Sequence, residues 1–367
     1  MKPLKIHDVS TAVYRCPLPF AWSDQTHGYT HIEVLIADVT ADNGLQGTGF
    51  SYSVGVGAMA AMALIRHYML DGIVGSTVSP RAQWGRMWSS LHDAGGGGVS
   101  TVALAPIDIA LWDLYAKARK VSFADLFGKV REKIPVYGSG IDLHYELKEL
   151  EEEVRDWVDQ GYEAVKVKVG KVDVEEDVER VAAVRKIVGR NRRLMIDANQ
   201  GWDGAKAPYA MEALQKFLPY WVEEPLISDD ILGYERLRRN TRSPIAMGEN
   251  VYNKYQFNQY FASYSCDFAQ PDIVRVGGIT PFFEIAALAD AWNLPLAPHF
   301  MREITGQLVC CIKNAHILED VKGGSFAELG IVENDAQITG GQFVPQKEPG
   351  HGIVFNRDKL DKYRIAS

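Results

Sequence analysis

IPVYGSG (134–140), AVKVKVG (164–170), LMIDANQ (194–200), YWVEEP (220–225), IAMGEN (245–250), FAQPD (268–272) and LPLAPHF (294–300) are short apolar runs separated by amphipathic helical stretches. Strand alternating with helix implies a parallel sheet. About eight such units between Ile134 and Glu319 match a barrel better than an open sheet. The expected fold class is α/β with a TIM-like barrel.

Each of the six runs after the first carries a polar residue at or near its C-terminal end: Lys166 and Lys168, Asp197, Glu223, Glu249, Asp272 and His299. From Lys168 onward, successive members lie 23 to 29 residues apart, about one strand-helix unit, so their side chains should converge at one barrel mouth. A single carboxylate after a strand is more often a helix N-cap or a turn former. Three in consecutive units, Asp197, Glu223 and Glu249, concentrate negative charge that is costly without a cation between them. Oxygen ligands select a hard ion, and Mg²⁺ leaves positions for water and substrate.

Lys166 and Lys168 are two residues apart on a strand and point the same way. Each cation disfavours protonation of the other and burial adds to the effect, so one lysine is expected to become a base near neutral pH. Asp272 and His299 fit a carboxylate that orients an imidazole and raises its basicity. Proton carriers on both sides of a metal suit abstraction of a proton next to a carboxylate, with the enediolate stabilised by the cation.

Upstream, HIEVLIADV (31–39), the turn-rich ADNGLQGTG (41–49) and a short strand around Phe50 to Tyr52 predict a hairpin. From Ala58 the pattern is helical, and TVALAPIDIALWDLYAKA (101–118) has helical spacing that Pro106 is expected to interrupt. Gly95 to Gly98 read as a loop, and PGHGIVFN (349–356) as a strand returning to the first domain.

The 367 residues exceed one ordinary domain and fit a barrel plus a smaller one. With 47% hydrophobic and 23% charged residues, disordered and fibrous classes are excluded. A net charge of −8 disfavours a nucleic-acid grip and points to a small-molecule partner. MKPLKIHDVS lacks the apolar core of a signal peptide, and no uninterrupted apolar run is long enough to span a bilayer, so a cytoplasmic protein without a membrane partner is expected. Cys16, Cys266, Cys310 and Cys311 form neither a disulfide framework nor a CxxC metal pattern. GVGAMA (55–60) lacks the final glycine of a dinucleotide fingerprint, and there is no HExxH.

At ALAPIDIALWDL, AVKVKVG, LMIDANQGW, WVEEPL, AMGEN, QPDIVRVGGIT, LAPHF and HILE the chain resembles the mandelate racemase subgroup of the enolase superfamily. The resemblance covers nearly the whole chain. It implies a modified (β/α)7β barrel (126–329) under an α+β capping domain (1–125, completed by the tail 330–367), and a homo-oligomer. It implies Mg²⁺ at Asp197, Glu223 and Glu249, acid/base roles for Lys168 and His299, and Asp272 as the partner of His299. It further implies Lys166 near the substrate carboxylate, Asn199 near a substrate hydroxyl, and a protonated Glu319 as hydrogen-bond donor to the carboxylate.

The same resemblance makes Phe20 to Tyr29 a loop that closes over the substrate. That loop, FAWSDQTHGY, is rich in hydrogen-bonding groups and favours a polyhydroxylated acid over an aromatic one. Trp22 and His27 are its candidate contacts, and Arg302 is a candidate cation for a second carboxylate. RVGGITPF and LAPHF look like galactarate and talarate dehydratases, and HGYTHIEVLIADVTADNGLQGTGFSYS looks like both those dehydratases and the anhydrogalactonate cycloisomerases. A hydroxylated carboxylate substrate and dehydration to a 2-keto-3-deoxy acid are expected first. Racemisation, epimerisation or cycloisomerisation through the same enediolate comes second, and a non-catalytic carbohydrate-binding barrel last.

Overall fold

The structure, a computed structural model, describes residues 3–25 and 28–367. Three long antiparallel strands open the chain: β1 (Ile6–Ser23), β2 (Gly28–Ala41) and β3 (Gln46–Ser53). The hairpin between β2 and β3 closes at Asp42 to Leu45, where Gly44 has φ of 82° and Asn43 accepts the Leu45 N–H. β1 is a strand that the sequence pattern hides, because Pro17 and Pro19 lie in its second half and its pairing register shifts between Pro17 and Trp22.

The helix Val99–Lys117 lies across this sheet. A Cβ at Gly49 would sit 1.9 Å from the Pro106 carbonyl oxygen, and one at Gly47 2.1 Å from that of Ala110, so both glycines are needed for the close approach. Pro106 does not interrupt the helix, contrary to expectation. Packing against the sheet outweighs the lost hydrogen bond. This helix is long and apolar enough by composition to cross a membrane, but 83% of its apolar window is buried inside the fold, which makes it a core helix. Gly95 to Gly98 form the expected loop.

The tail does return to the first sheet, but through Arg364–Ala366 beside β1 rather than through PGHGIVFN. Gly350 and Gly352 take positive φ in that segment and break the extended run. His351 between them is buried and contacts the Thr48 carbonyl through Nε2 at 2.8 Å.

Downstream, β4 (Ile134–Ser139), β5 (Ala164–Lys168), β6 (Arg193–Asp197), β7 (Val222–Glu223), β8 (Ile245–Met247) and β9 (Phe268–Ala269) pair in parallel in that order. Parallel bridges Ala269↔Leu296 and Leu296↔Ala315 carry the sheet on to β10 (Leu318–Val321), which pairs back onto β4. Helices follow the first seven of these eight strand positions, giving a (β/α)7β barrel.

Side-chain parity along the strands is clear from the packing. Val165, Val167, Leu194, Ile196, Val222 and Ile245 join the layer between strands and helices. Tyr137, Ala164, Met195, Trp221, Ala246, Phe268, Ala297 and Ile317, one from each strand position, pack together as the floor of the barrel. Because the side-chain period is two, residues two and four positions further along point into the mouth.

Candidate active site

That parity places Ser139, Lys166 and Lys168, Asp197, Glu223, Gln270, His299 and Glu319 above the floor, facing one another. Glu249 breaks the alternation. It reaches the group because Gly248 before it turns the chain at φ of 139°, and a Cβ there would lie 3.0 Å from the Gln270 backbone.

Asp197, Glu223 and Glu249 are buried, each with an oxygen within 4.8 Å of the others. The lysines neutralise part of this charge. Lys166 Nζ lies 2.5 Å from Glu223, 2.7 Å from Glu319 and 3.4 Å from Asp197, and Lys168 Nζ lies 2.6 Å from Asp197. Glu223 also accepts from the Trp221 indole and from the Gln270 amide. Burial, and the carboxylates of Asp197, Glu319 and Glu249, still push its carboxyl up to about 7 against the pull of Lys166. A buried all-oxygen set with negative charge to spare fits a divalent hard cation.

Burial and mutual repulsion by themselves do not bring either lysine below its ordinary value, in contrast to the expectation. Burial and Lys166 push Lys168 down, but Asp197 and its neighbouring carboxylates outweigh them and hold it above the ordinary value. Lys166 is held well above its ordinary value for the same reason. It lies below the cavity among carboxylates rather than on the cavity wall. Glu319 is likewise pushed towards its ionised form, against the expectation of a protonated acid. Burial raises its carboxyl, but Lys166, His299 and the N–H of Phe300 pull it down to about 2. It accepts from the Ser139 hydroxyl as well, and so cannot donate in this arrangement.

His299 and Asp272 meet as expected, with Nδ1 and Oδ2 2.7 Å apart. The other acceptor sites of Asp272 take the N–H groups of Val274 and Arg275 and the Tyr52 hydroxyl, the last at 2.5 Å. Saturated with donors, Asp272 stays below its ordinary value although burial opposes it. It fixes the tautomer with Nδ1–H towards itself and leaves Nε2 to the cavity. Burial lowers the His299 pKa, but Glu249, 3.4 Å from Nε2, and Asp272 raise it above the ordinary value.

Lys168, His299, Glu249, Asn199 and Trp22 line one cavity of about 120 Å³. Asn199 Oδ1 and Trp22 Nε1 are buried there with no hydrogen-bond partner among the described residues. His27 lies outside the described residues. Arg302 does not reach the cavity. It pairs with Asp320 and with Asp335 (3.0 Å) on the outside of the barrel, because strand alternation puts Asp320 opposite Glu319.

Sequence reasoning missed several neighbours. Ser139 and Gln270 obey the period of two and were findable from it. Glu224, the second glutamate of EEP, is fully buried and accepts two bonds from Asn250. Arg275 lines the cavity and donates to the Glu249 carbonyl from within the barrel, whereas Tyr52 carried no signal, since its contact depends on the first sheet docking over the barrel. Among the described residues, five of the nine non-glycine residues with positive φ, Asn199, Gln200, Glu224, Phe300 and Met301, follow strand ends at this mouth, and such strain clusters at functional sites.

Comparison with known proteins finds matches over both parts of the chain. Residues 7–128 match the mandelate racemase/muconate lactonizing enzyme N-terminal domain, and residues 149–359 the enolase C-terminal domain-like family. A 3,6-anhydro-alpha-L-galactonate cycloisomerase of Streptomyces coelicolor is 33% identical over 98% of this chain and all of its own length. The crystal structure of a racemase from Streptomyces coelicolor A3(2) with bound magnesium superposes with TM-score 0.94 at 32% identity, covering 98% of this chain and 100% of that one. L-Talarate dehydratase from Polaromonas sp. JS666, complexed with Mg and L-glucarate, gives 0.88 at 32% identity over 98% and 97%.

Proposed function

We propose that this chain, which belongs to the mandelate racemase/muconate lactonizing enzyme family of the enolase superfamily, is a Mg²⁺-dependent dehydratase of a polyhydroxylated carboxylic acid. One observation carries the reading: Lys168 and His299 line the same cavity as Glu249, whose carboxylate belongs to the buried triad. Asp197, Glu223 and Glu249 would hold the ion. When bound, Mg²⁺ supplies the positive charge the triad lacks and stabilises charge developing on the substrate carboxylate.

Lys168 or His299 removes the α-proton, and the other protonates the departing β-hydroxyl, so that the enediolate collapses to a 2-keto-3-deoxy acid after tautomerisation. Asp272 holds His299 in the tautomer that exposes Nε2. Lys166 contributes positive charge beneath the substrate carboxylate. The partnerless Asn199 oxygen and Trp22 indole N–H favour a ligand with several hydroxyl groups, since a buried polar atom left unpaired is costly.

Dehydratases of this family act on acid sugars, which supports the substrate class. Incubation with Mg²⁺ and a library of aldonic and aldaric acids should yield a 2-keto acid from at least one member. No keto product across the library rejects dehydration. A second reading, cycloisomerase or epimerase, is favoured by the full-length match to the Streptomyces cycloisomerase. It is recognised by solvent deuterium in recovered or rearranged acid without keto product.

A further inference from the structure

Behind Lys168 two buried carboxyl groups approach one another. Asp142 follows β4 and is fully buried. Its Oδ1 accepts the backbone N–H of Lys168 at 3.1 Å and a guanidinium N–H of Arg180 at 3.1 Å, while Oδ2 has no hydrogen-bond partner among the described residues. Glu153, from the helix Leu147–Asp159, is 3% exposed. Its Oε1 is 3.0 Å from Lys322 Nζ, and its Oε2 likewise has no hydrogen-bond partner among the described residues.

The two orphan oxygens converge beside Gly140. A Cβ on that residue would lie 2.0 Å from Asp142 Oδ2 and 2.8 Å from Glu153 Oε2. Two buried carboxylate oxygens facing each other repel, and a proton between them turns the repulsion into a hydrogen bond.

We propose that Asp142 and Glu153 share one proton, and that this acid–carboxylate pair is a positioning element for Lys168. The outer oxygens are held by Arg180 and Lys322, so the shared proton takes the inner gap. Among the described residues, the other charged or titratable groups acting on the pair are Lys168, His144 and Tyr145 around Asp142, and Asp156 on the helix that carries Glu153. Burial first, and the Asp142 carboxylate next, push Glu153 up to about 7, and Asp142 is raised as well.

The same short segment touches the site in three places. Asp142 fixes the Lys168 N–H, Ile141 lines the cavity, and the Asp142 backbone bridges to Ser23 at the end of β1. Losing the proton would drive the carboxylates apart and move all three. The positioning half of the inference rests on the role proposed for Lys168, whereas the shared proton does not.

Glu153→Gln provides the test. Its amide N–H₂ donates permanently to Asp142 Oδ2, and its oxygen still accepts from Lys322. A raised carboxyl pKa means that the folded state keeps a proton the unfolded chain has lost, so this pair's contribution to stability falls as pH rises from about 4.3 to about 7. The melting temperature of E153Q relative to the unsubstituted protein should therefore climb across that window. The infrared carbonyl band of one protonated carboxyl should disappear in E153Q at neutral pH. An unchanged band together with a flat difference in melting temperature overturns the shared proton, whatever the activity.

On the substrate found by the acid screen, kcat of E153Q relative to the unsubstituted protein should rise about tenfold between pH 6 and 8.5, with KM unchanged. A constant kcat ratio alongside the lost band leaves the shared proton standing and overturns the positioning role. Failure of every acid to react rejects the proposed function, while the band and the melting temperatures still decide the proton.

Discussion

The floor and the mouth of the barrel are built on the same strand positions only two residues apart, yet they obey opposite rules. The floor is a plug of Tyr137, Met195, Trp221, Phe268, Ile317 and three alanines, with packing as its main cohesion. The mouth crowds Asp197, Glu223, Glu249 and Glu319 around two lysines, beside backbone in left-handed conformations. Apolar packing is concentrated in one layer and charge in the next. The mouth can hold repelling charges in fixed places because the layer beneath it does not yield.

Substitutions should separate the two layers. Lys168→Met and His299→Asn each remove a proton carrier, and each should lower kcat by about 10³-fold or more while the melting temperature moves little. Steady-state kinetics beside calorimetry checks this, and a large loss of stability in both variants would blur the division. Phe268→Ala in the floor should do the reverse. It should cost about 3–5 kcal/mol of stability by denaturant titration while the folded fraction keeps its kcat.

Magnesium should stabilise the mouth alone. Titrating Mg²⁺ to about 100 times its dissociation constant should add about 2.7 kcal/mol to the metal-free protein. Glu223→Gln should abolish most of that gain, whereas Phe268→Ala should keep it. Chelation should remove activity, and readdition should restore it. The smallest effect falls between the layers and the first sheet. Tyr52→Phe removes one bond to Asp272 and should lower kcat about tenfold with KM unchanged, because one hydrogen bond to a charged group is worth about 1.5–3 kcal/mol.

Much of this was legible in the sequence, for a physical reason. Polar residues at the ends of otherwise apolar strands violate the local pattern, and they recur at the spacing of a strand-helix unit, so Asp197, Glu223, Asp272 and His299 stood out. The parity of strands also made the lysine pair readable. What failed was energetic or long-range. The protonation of Lys168 and Glu319 depends on which opposite charges lie within about 3 Å, and sequence spacing does not report that. Arg302 looked free because Asp320 and Asp335, 18 and 33 residues away, were not seen as its partners. Tyr52 was invisible because 220 residues separate it from Asp272. β1 was masked by its prolines, and Pro106 by the assumption that a helix interior must end at proline.

The central claim, that the mouth carries two proton carriers, one taking the α-proton and the other serving the β-hydroxyl, is tested most directly by exchange in D₂O. An acid that the enzyme turns over is incubated with Mg²⁺ and the unsubstituted protein, Lys168→Met or His299→Asn, and deuterium at the α-carbon of recovered acid is followed by NMR. One variant should lose both exchange and product. The other should lose product while still exchanging the α-proton. Exchange at the unsubstituted rate in both variants would contradict the account.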